Sequence, residues 1–361
     1  MKILVISNMY PSDKDPTFGV FVKNFYDYLR SKNGQDNTSL SVIKGQSKSG
    51  SSKIFDYVSF NLKTISLLLF NKYDLVYVHT VTYPAFPVKV ASYFKDIPLA
   101  FNIHGSDWIT HSGLAGRLKR MTLPLLKKAK LIVVPSSVFR ELVIEELPNV
   151  DKNKIIVSYS AGLDLYRFTP SEKDSGNKEE LTIGYVSRVI ENKGWRVFIE
   201  ALKQLKEGGY PIKAIMAGGG VQEPEMLSLI ETYGLKNVIE YLGAVAQEKL
   251  PELYRKMDLF VFPTLFFESL GLVGVEAMAC GTPVIGTNQG GPTEYLNDGV
   301  NGYLFEKGNA NDLCKKIVTF LSLTKEEKLK MSKKAIETSK LFGREYVMDG
   351  LINEIHKACN E

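Results

Sequence analysis

Strand-length apolar runs alternate with helix-length amphipathic segments through nearly the whole chain, and the alternation runs twice. In the first series the expected strands are 3–7, 40–43, 75–79, 98–103, 131–135 and 155–158. Helical patterns lie at 20–30, 88–94, 114–128 and 138–147, and Phe21, Phe25, Tyr28 and Leu29 share one face of the first. Residues 171–180 are polar and charged and read as a linker. The second series has strands at 181–186, 212–217, 238–242, 259–262, 283–286 and 302–305. Its helices are at 195–206, 223–233, 249–256, 272–279 and 313–321. Such alternation predicts parallel sheets with helices on both faces. Two series predict an α/β protein of two doubly wound, Rossmann-like domains facing a cleft, with ligands beyond the carboxyl ends of the strands. The closing segment, 325–361, is helical in pattern, with two helices parted near Phe342-Gly343.

The length of 361 residues suits two domains rather than one core, and 44% hydrophobic against 24% charged residues fills both. Cys280, Cys314 and Cys359 are few, odd in number and far apart, which points to a reducing compartment without a disulfide framework. Four histidines, His79, His104, His111 and His356, leave little material for a metal site. The apolar start at Ile3 is broken by Asn8, Pro11 and Asp13, so it reads as a strand and not a secretory signal. The longest greasy run, Leu67–Phe70, is far short of a bilayer span. The expected location is cytoplasmic, touching a membrane without crossing it. Net charge is +5, but 21 Lys and Arg against 13 Asp and Glu up to residue 165 put the surplus in the first half. That half suits an anionic partner; a generic soluble basic surface explains the surplus equally well.

The most informative stretch runs from Phe266 to Pro283. A strand ends before it, and a helix starts within it and stops at Gly281. Gly271 lets the free N–H groups at the helix start approach a ligand, and those groups and the helix dipole suit a diphosphate. Glu268 and Glu276 are eight residues apart, a separation of up to roughly 12 Å along a helix. They bracket a nucleotide sugar, one carboxylate on hexose hydroxyls and one on ribose hydroxyls, or they are incidental acids on a capped amphipathic helix.

Glu268-x7-Glu276, followed by Ala277-Met278-Ala279-Cys280-Gly281-Thr282-Pro283-Val284 and Gly290-Gly291-Pro292-Thr293-Glu294, resembles the signature of retaining glycosyltransferases of family 4, which have the GT-B fold. The resemblance extends to Ser187-Arg188 with Asn192-Lys193-Gly194, to Ala217-Gly218-Gly219-Gly220, Leu242-Gly243, Asp258–Pro263, His104-Gly105-Ser106-Asp107, and Gly162-Leu163-Asp164 with Phe168. It implies that Arg188 and Lys193 neutralise the donor diphosphate, whose charge grows as the glycosidic bond breaks. By the same resemblance Glu268 grips the hexose, Glu276 the ribose, and His104 donates to a hydroxyl of the transferred sugar. Gly19, Gly218, Val245, Ser269, Leu270, Gly271, Leu272 and Val273 complete the donor-binding set. The loop Asn8–Val22 is similar to bacterial polysaccharide-assembly members, although Gly19 stands alone where many relatives have a glycine pair. The implied domains are 1–168 for the acceptor and 178–342 for the nucleotide sugar, with 343–361 returning to the first.

The resemblance implies no cofactor. Asp13-Lys14-Asp15 has the Asp-x-Asp form of a metal site, but it sits in the N-terminal loop and the cationic pair already serves the metal's role. Arg117–Lys130 is a basic amphipathic run interrupted by Pro124, compatible with anionic lipid head groups or with an ordinary solvated helix face. The partners that follow are a nucleotide diphosphate sugar, a saccharide or polyprenyl-diphosphate acceptor and an anionic membrane surface, with no nucleic acid. A nucleotide-sugar epimerase of the same fold is the main rival. A nicotinamide oxidoreductase is disfavoured because no Gly-x-Gly-x-x-Gly follows the first strand. A nucleic-acid-binding module is permitted by charge alone, since no recognised motif accompanies it.

Overall fold

The computed structural model describes residues 1–16, 18–45, 50–109, 112–171 and 180–360. Thr17, His111 and nearly all of the expected linker at 171–180 lie outside the described residues. The chain forms two compact units, Met1–Gly162 with Glu345–Glu361, and Leu163–Arg344.

The first unit runs β1 (Ile3–Ser7), α1 (Val20–Asn33), β2 (Thr38–Val42), α2 (Gly50–Phe70), β3 (Leu75–His79), α3 (Ala85–Ala91), β4 (Leu99–Asn102), α4 (Ser106–Ile109), α5 (Gly113–Lys128), β5 (Leu131–Val134), α6 (Ser137–Glu146) and β6 (Ile155–Val157). Its six strands pair in parallel in the order β2-β1-β3-β4-β5-β6. β1 and β3 are buried along their whole length, as a sheet covered on both faces requires.

The second unit runs β7 (Leu181–Val186), α7 (Trp195–Glu207), β8 (Ile212–Ala217), α8 (Glu223–Thr232), β9 (Ile239–Tyr241), α9 (Leu250–Lys256), β10 (Leu259–Phe262), α10 (Leu272–Ala279), β11 (Val284–Thr287), α11 (Pro292–Tyr295), β12 (Gly302–Phe305), α12 (Ala310–Ser322) and α13 (Lys325–Ser339). Its order, β12-β11-β10-β7-β8-β9, reverses direction between β7 and β10. Among these strands Leu259 pairs with Ile183 and Phe260 with Gly184. The core on one side of this sheet is built by Trp195, Phe198, Leu202 and Leu205 of α7 with Leu313, Ile317 and Phe320 of α12.

The last helix, α14 (Arg344–Asn360), belongs with the first unit. Met348, Leu351, Ile352 and Ile355 pack beside Phe25 and Leu29 of α1 on Ile3, Val5, Leu75 and Tyr77 of the sheet. Residues 163–168, which the sequence reading assigns to the first domain, go with the second unit. There the Leu163 N–H donates to the Phe342 carbonyl at 2.6 Å, and the Arg344 N–H donates to the Leu163 carbonyl at 2.8 Å.

Two local expectations need correction. No element was expected between residues 43 and 75, yet α2 fills 21 residues of that gap. Its buried side carries Phe60, Thr64 and Leu68, while Ile54, Phe55, Val58 and Leu62 on its outer side are exposed. Apolar residues on both sides blur the helical period that would announce it. The helix expected at 88–94 is displaced to Ala85–Ala91, leaving Tyr93 and Phe94 exposed beyond it. The helix expected at 114–128 is found as α5, which runs through Pro124 to Lys128.

Candidate active site

In a doubly wound sheet the crevice forms where strand order reverses, beyond the carboxyl ends of the two central strands. In the second unit those strands are β7 and β10. The loop after β7 carries Arg188 and Lys193. The buried Tyr185 hydroxyl reaches the carbonyl oxygens of both, at 3.4 Å and 3.3 Å, and so pins the two basic residues to one loop geometry. Burial pushes that phenol's pKa well up, so it remains a donor at any physiological pH. Arg188 is exposed, and its guanidinium has no ion-pair partner among the described residues.

The glycine turn after β8 serves this loop. The Val189 N–H donates to the Gly219 carbonyl at 3.0 Å. Gly218 has φ 130°, and a Cβ there would lie 1.8 Å from the Ser187 carbonyl oxygen. Only glycine permits that approach. The Gly218 N–H is spent on the Gly243 carbonyl at 2.7 Å.

From the other central strand, β10, the chain turns through Pro263 to Glu268. Lys193 Nζ and the Glu268 carboxylate form an ion pair, with side chains 17% and 16% exposed. The Thr264 hydroxyl also donates to Glu268 Oε1, at 3.3 Å. Behind Glu268, its carbonyl accepts the Gly291 N–H at 2.7 Å, which ties the loop to the start of α11. Gly271 opens α10 at φ 78°, and a Cβ there would be 2.4 Å from the Phe262 ring. Its carbonyl accepts the Tyr295 hydroxyl at 3.1 Å. The first-turn N–H groups of α10, at Leu272 and Val273, are of the kind a helix leaves without internal partners. Both residues are half-buried, as are Ser269 and Val245, whereas the Leu270 side chain is in the core.

Glu276 lies one turn from the end of α10 and is 7% exposed. The Tyr254 hydroxyl donates to its Oε2 at 2.9 Å. Burial raises its pKa above the ordinary glutamate value, against the lowering effect of the Tyr254 hydrogen bond and of Arg167. Between the ordinary value and the raised one the folded state holds the proton more tightly, so stability falls as pH rises through that window. Glu276→Gln keeps the acceptor for Tyr254 and removes the charge. The variant should melt higher than the parent at pH 7, with the difference closing towards pH 4. Parallel melting curves at the two pH values would contradict the buried charge.

In the first unit, Gly19 stands at the start of α1 in the left-handed region, φ 70°, and its carbonyl accepts from Val22 and Lys23. His104 follows β4 and is half-buried. The buried Asp107 accepts from the His104 and Gly105 N–H groups at 2.9 Å with one oxygen and from the Val81 N–H at 2.9 Å with the other. One carboxylate thus ties the loop after β3 to the loop after β4. Nε2 of His104 lies 3.0 Å from Nδ1 of His79. Burial pulls the pKa of His104 down, partly offset by Asp107.

Residues 168–338 match the family described as "Glycosyl transferases group 1", and residues 36–161 match "Glycosyltransferase Family 4". The chain belongs to the group 1 glycosyltransferases. Its fold is GT-B. The Anabaena protein Alr3699/HepE, crystallised with UDP, superposes at TM-score 0.77 with 22% identity over 99% of this chain and 100% of that one. The lipopolysaccharide outer core galactosyltransferase WaaB, in its apo form, superposes at TM-score 0.74 with 14% identity, covering 99% of each chain. A D-inositol 3-phosphate glycosyltransferase of Rhodococcus erythropolis is 28% identical over 229 residues, 60% of this chain and 51% of that protein. The chain thus spans about half the length of the curated relatives it matches.

In this glycosyltransferase the second unit brings Lys193 and Glu268 together and places Arg188 on the same loop as Lys193. Glu276 is held by the Tyr254 hydroxyl. Three residues that sequence reasoning passed over support the candidate residues within their own units: Tyr185 and Thr264 in the second and His79 in the first. Tyr185 and Thr264 lie in unremarkable positions of a strand and a loop. His79 is one of only four histidines and closes a strand two register positions from His104, the signal by which it could have been found. Asp13 and Asp15 sit in a tight turn in which Ser12 and Asp15 exchange backbone hydrogen bonds at 3.1 Å.

Proposed function

We propose that this glycosyltransferase moves a hexosyl unit from a nucleotide diphosphate sugar to a saccharide or lipid-linked acceptor, with retention at the anomeric carbon and without a metal. A UDP-sugar is the favoured donor and GDP-mannose the alternative; the setting is cell-surface polysaccharide assembly. The observation that carries the reading is the loop after β7. Tyr185 holds Arg188, without an ion-pair partner among the described residues, and the Glu268-paired Lys193 in one segment at the point where strand order reverses. Fixed cations there suit a leaving diphosphate, whose negative charge grows as the glycosidic bond breaks. Glu268 accepts hexose hydroxyls, Glu276 the ribose, and the first amides of α10 the phosphate. His104 of the first unit donates to a hydroxyl of the moving sugar. The acceptor hydroxyl attacks on the leaving-group side and the departing phosphate takes its proton. The UDP bound by the Anabaena neighbour supports the donor class. Calorimetric titration with UDP, GDP and ADP in EDTA tests it: UDP or GDP should bind, and binding that appears only with added magnesium would count against the reading.

The partner of the first unit is proposed to be an anionic membrane face. Among the described residues no helix is long and apolar enough to cross a membrane. Ile54, Phe55, Val58 and Leu62 nevertheless stand 50–72% exposed along one side of α2. Arg117, Arg120, Lys127 and Lys128 are exposed on α5, in a half of the chain with surplus positive charge. Lys119 drops out of the basic set. It is buried, ion-paired to Glu146 at 2.9 Å, and lies over the Trp108 ring at 4.1 Å. Each remaining basic residue near an anionic surface contributes ~1 kcal/mol. Phe55→Ser with Leu62→Ser should abolish flotation with phosphatidylglycerol vesicles at low salt. Unchanged flotation, or a dimer that the double variant dissociates, would overturn this assignment.

A further inference from the structure

His79 is a buried titratable group beside His104 that the proposed chemistry leaves unused. It closes β3, is 1% exposed, and stands against the rings of Phe25 and Tyr77 at centroid distances of 5.0 Å and 5.2 Å. Its Nδ1 is 3.0 Å from Nε2 of His104, and its Nε2 is buried with no hydrogen-bond partner among the described residues.

Burial depresses the pKa of both imidazoles, so both are neutral near pH 7 and the shared hydrogen bond contains one proton. Two arrangements exist. If His104 donated from Nε2, the proton of His79 would sit on its own Nε2, giving a buried N–H among aromatic rings. If His79 donates from Nδ1, its Nε2 carries only a lone pair. Orphaned buried N–H groups are rarer than under-satisfied acceptors, so the second arrangement wins. We propose that His79 is a positioning residue for His104. Its Nδ1–H donates to His104 Nε2 and fixes His104 as the Nδ1–H tautomer, which leaves that nitrogen as the donor.

The backbone beside His79 fits such a role. Thr80, the next residue, has φ 72°, a left-handed conformation that is a genuine outlier for a β-branched side chain. Strain of this kind persists only where surrounding contacts over-determine it. Here the Thr80 N–H donates to the Asn102 carbonyl at 2.9 Å, the Val81 N–H donates to Asp107, and the Thr122 hydroxyl donates to the Val81 carbonyl at 2.8 Å. Asp107 also accepts the His104 N–H, so the two histidines are held in register by one carboxylate.

The consequence for rate rests on the sugar-donating role of His104; the tautomer does not, so the two can fail separately. Long-range 1H–15N correlation on the labelled protein reads the tautomer directly. His104 should show a protonated Nδ1 and an accepting Nε2. A His104 protonated at Nε2, with His79 Nε2–H against the Phe25 ring, overturns the proposal. For the rate, His79→Phe should lower kcat for turnover of UDP-glucose on water by about tenfold, the loss of one neutral hydrogen bond, with the Kd for UDP unchanged. His79→Asn, whose amide N–H replaces Nδ1–H, should recover to within about threefold. Equal rates in wild type and His79→Phe overturn the positioning role. A wild type that turns over no donor sinks the transferase reading alone, and the tautomer spectrum still decides the pairing.

Discussion

Arg188→Ala lowers donor turnover by about two to three orders of magnitude, the cost of removing one preorganised charged donor from a developing anion. The fold should barely notice. Arg188 is exposed and its guanidinium is unpaired among the described residues, so the stability change stays within about 0.5 kcal/mol. Lys193 offers no such clean test. Its substitution strands the Glu268 carboxylate, 16% exposed, without its cation, and rate and stability fall together. The check is kcat beside the melting temperature: a large loss of rate with a shift under about 2 °C. Wild-type turnover in Arg188→Ala removes the loop after β7 from the chemistry.

Ending the chain at Arg344 unfolds the first unit. Without α14, the sheet face at Ile3, Val5, Leu75 and Tyr77 loses Met348, Leu351, Ile352 and Ile355, each at most 4% exposed. Burying such a side chain contributes ~1.5–3 kcal/mol, so four contribute roughly 6–12 kcal/mol. That rivals the ~5–15 kcal/mol that holds a whole domain together. The Tyr28 hydroxyl bond to Asp349, at 2.9 Å, goes as well. Amide exchange should show β1–β6 unprotected and β7–β12 still protected. Native protection of β1 and β3 in the truncated chain contradicts the packing described for α14.

The alternation of strand and helix was legible because parallel strands buried on both faces are apolar throughout, and β1, β7, β10 and β12 fall where the runs do. What escaped was set by tertiary contact. The helix α2 hides because its outer side is as apolar as its inner one. Lys119 looks like one more surface cation until Trp108 and Glu146 enclose it. The resemblance put Gly218 in the donor-binding set, but no local pattern shows that glycine is required there against the Ser187 carbonyl, 31 residues away in sequence. The pairing of Lys193 with Glu268 joins positions 75 residues apart, which no local pattern announces. The motif placed Arg188, Lys193, Glu268 and Glu276 on their loops and helix. It did not show that Tyr185 pins the first two or that Tyr254 buries the last.

The most direct test of the transfer reading needs no knowledge of the acceptor. With water as acceptor and EDTA present, 1H NMR follows the sugar first released from an α-linked UDP-hexose before mutarotation. Release of the α-anomer, abolished in Arg188→Ala, is the expected result. First release of the β-anomer, or a donor that is only isomerised while still attached to UDP, would contradict it.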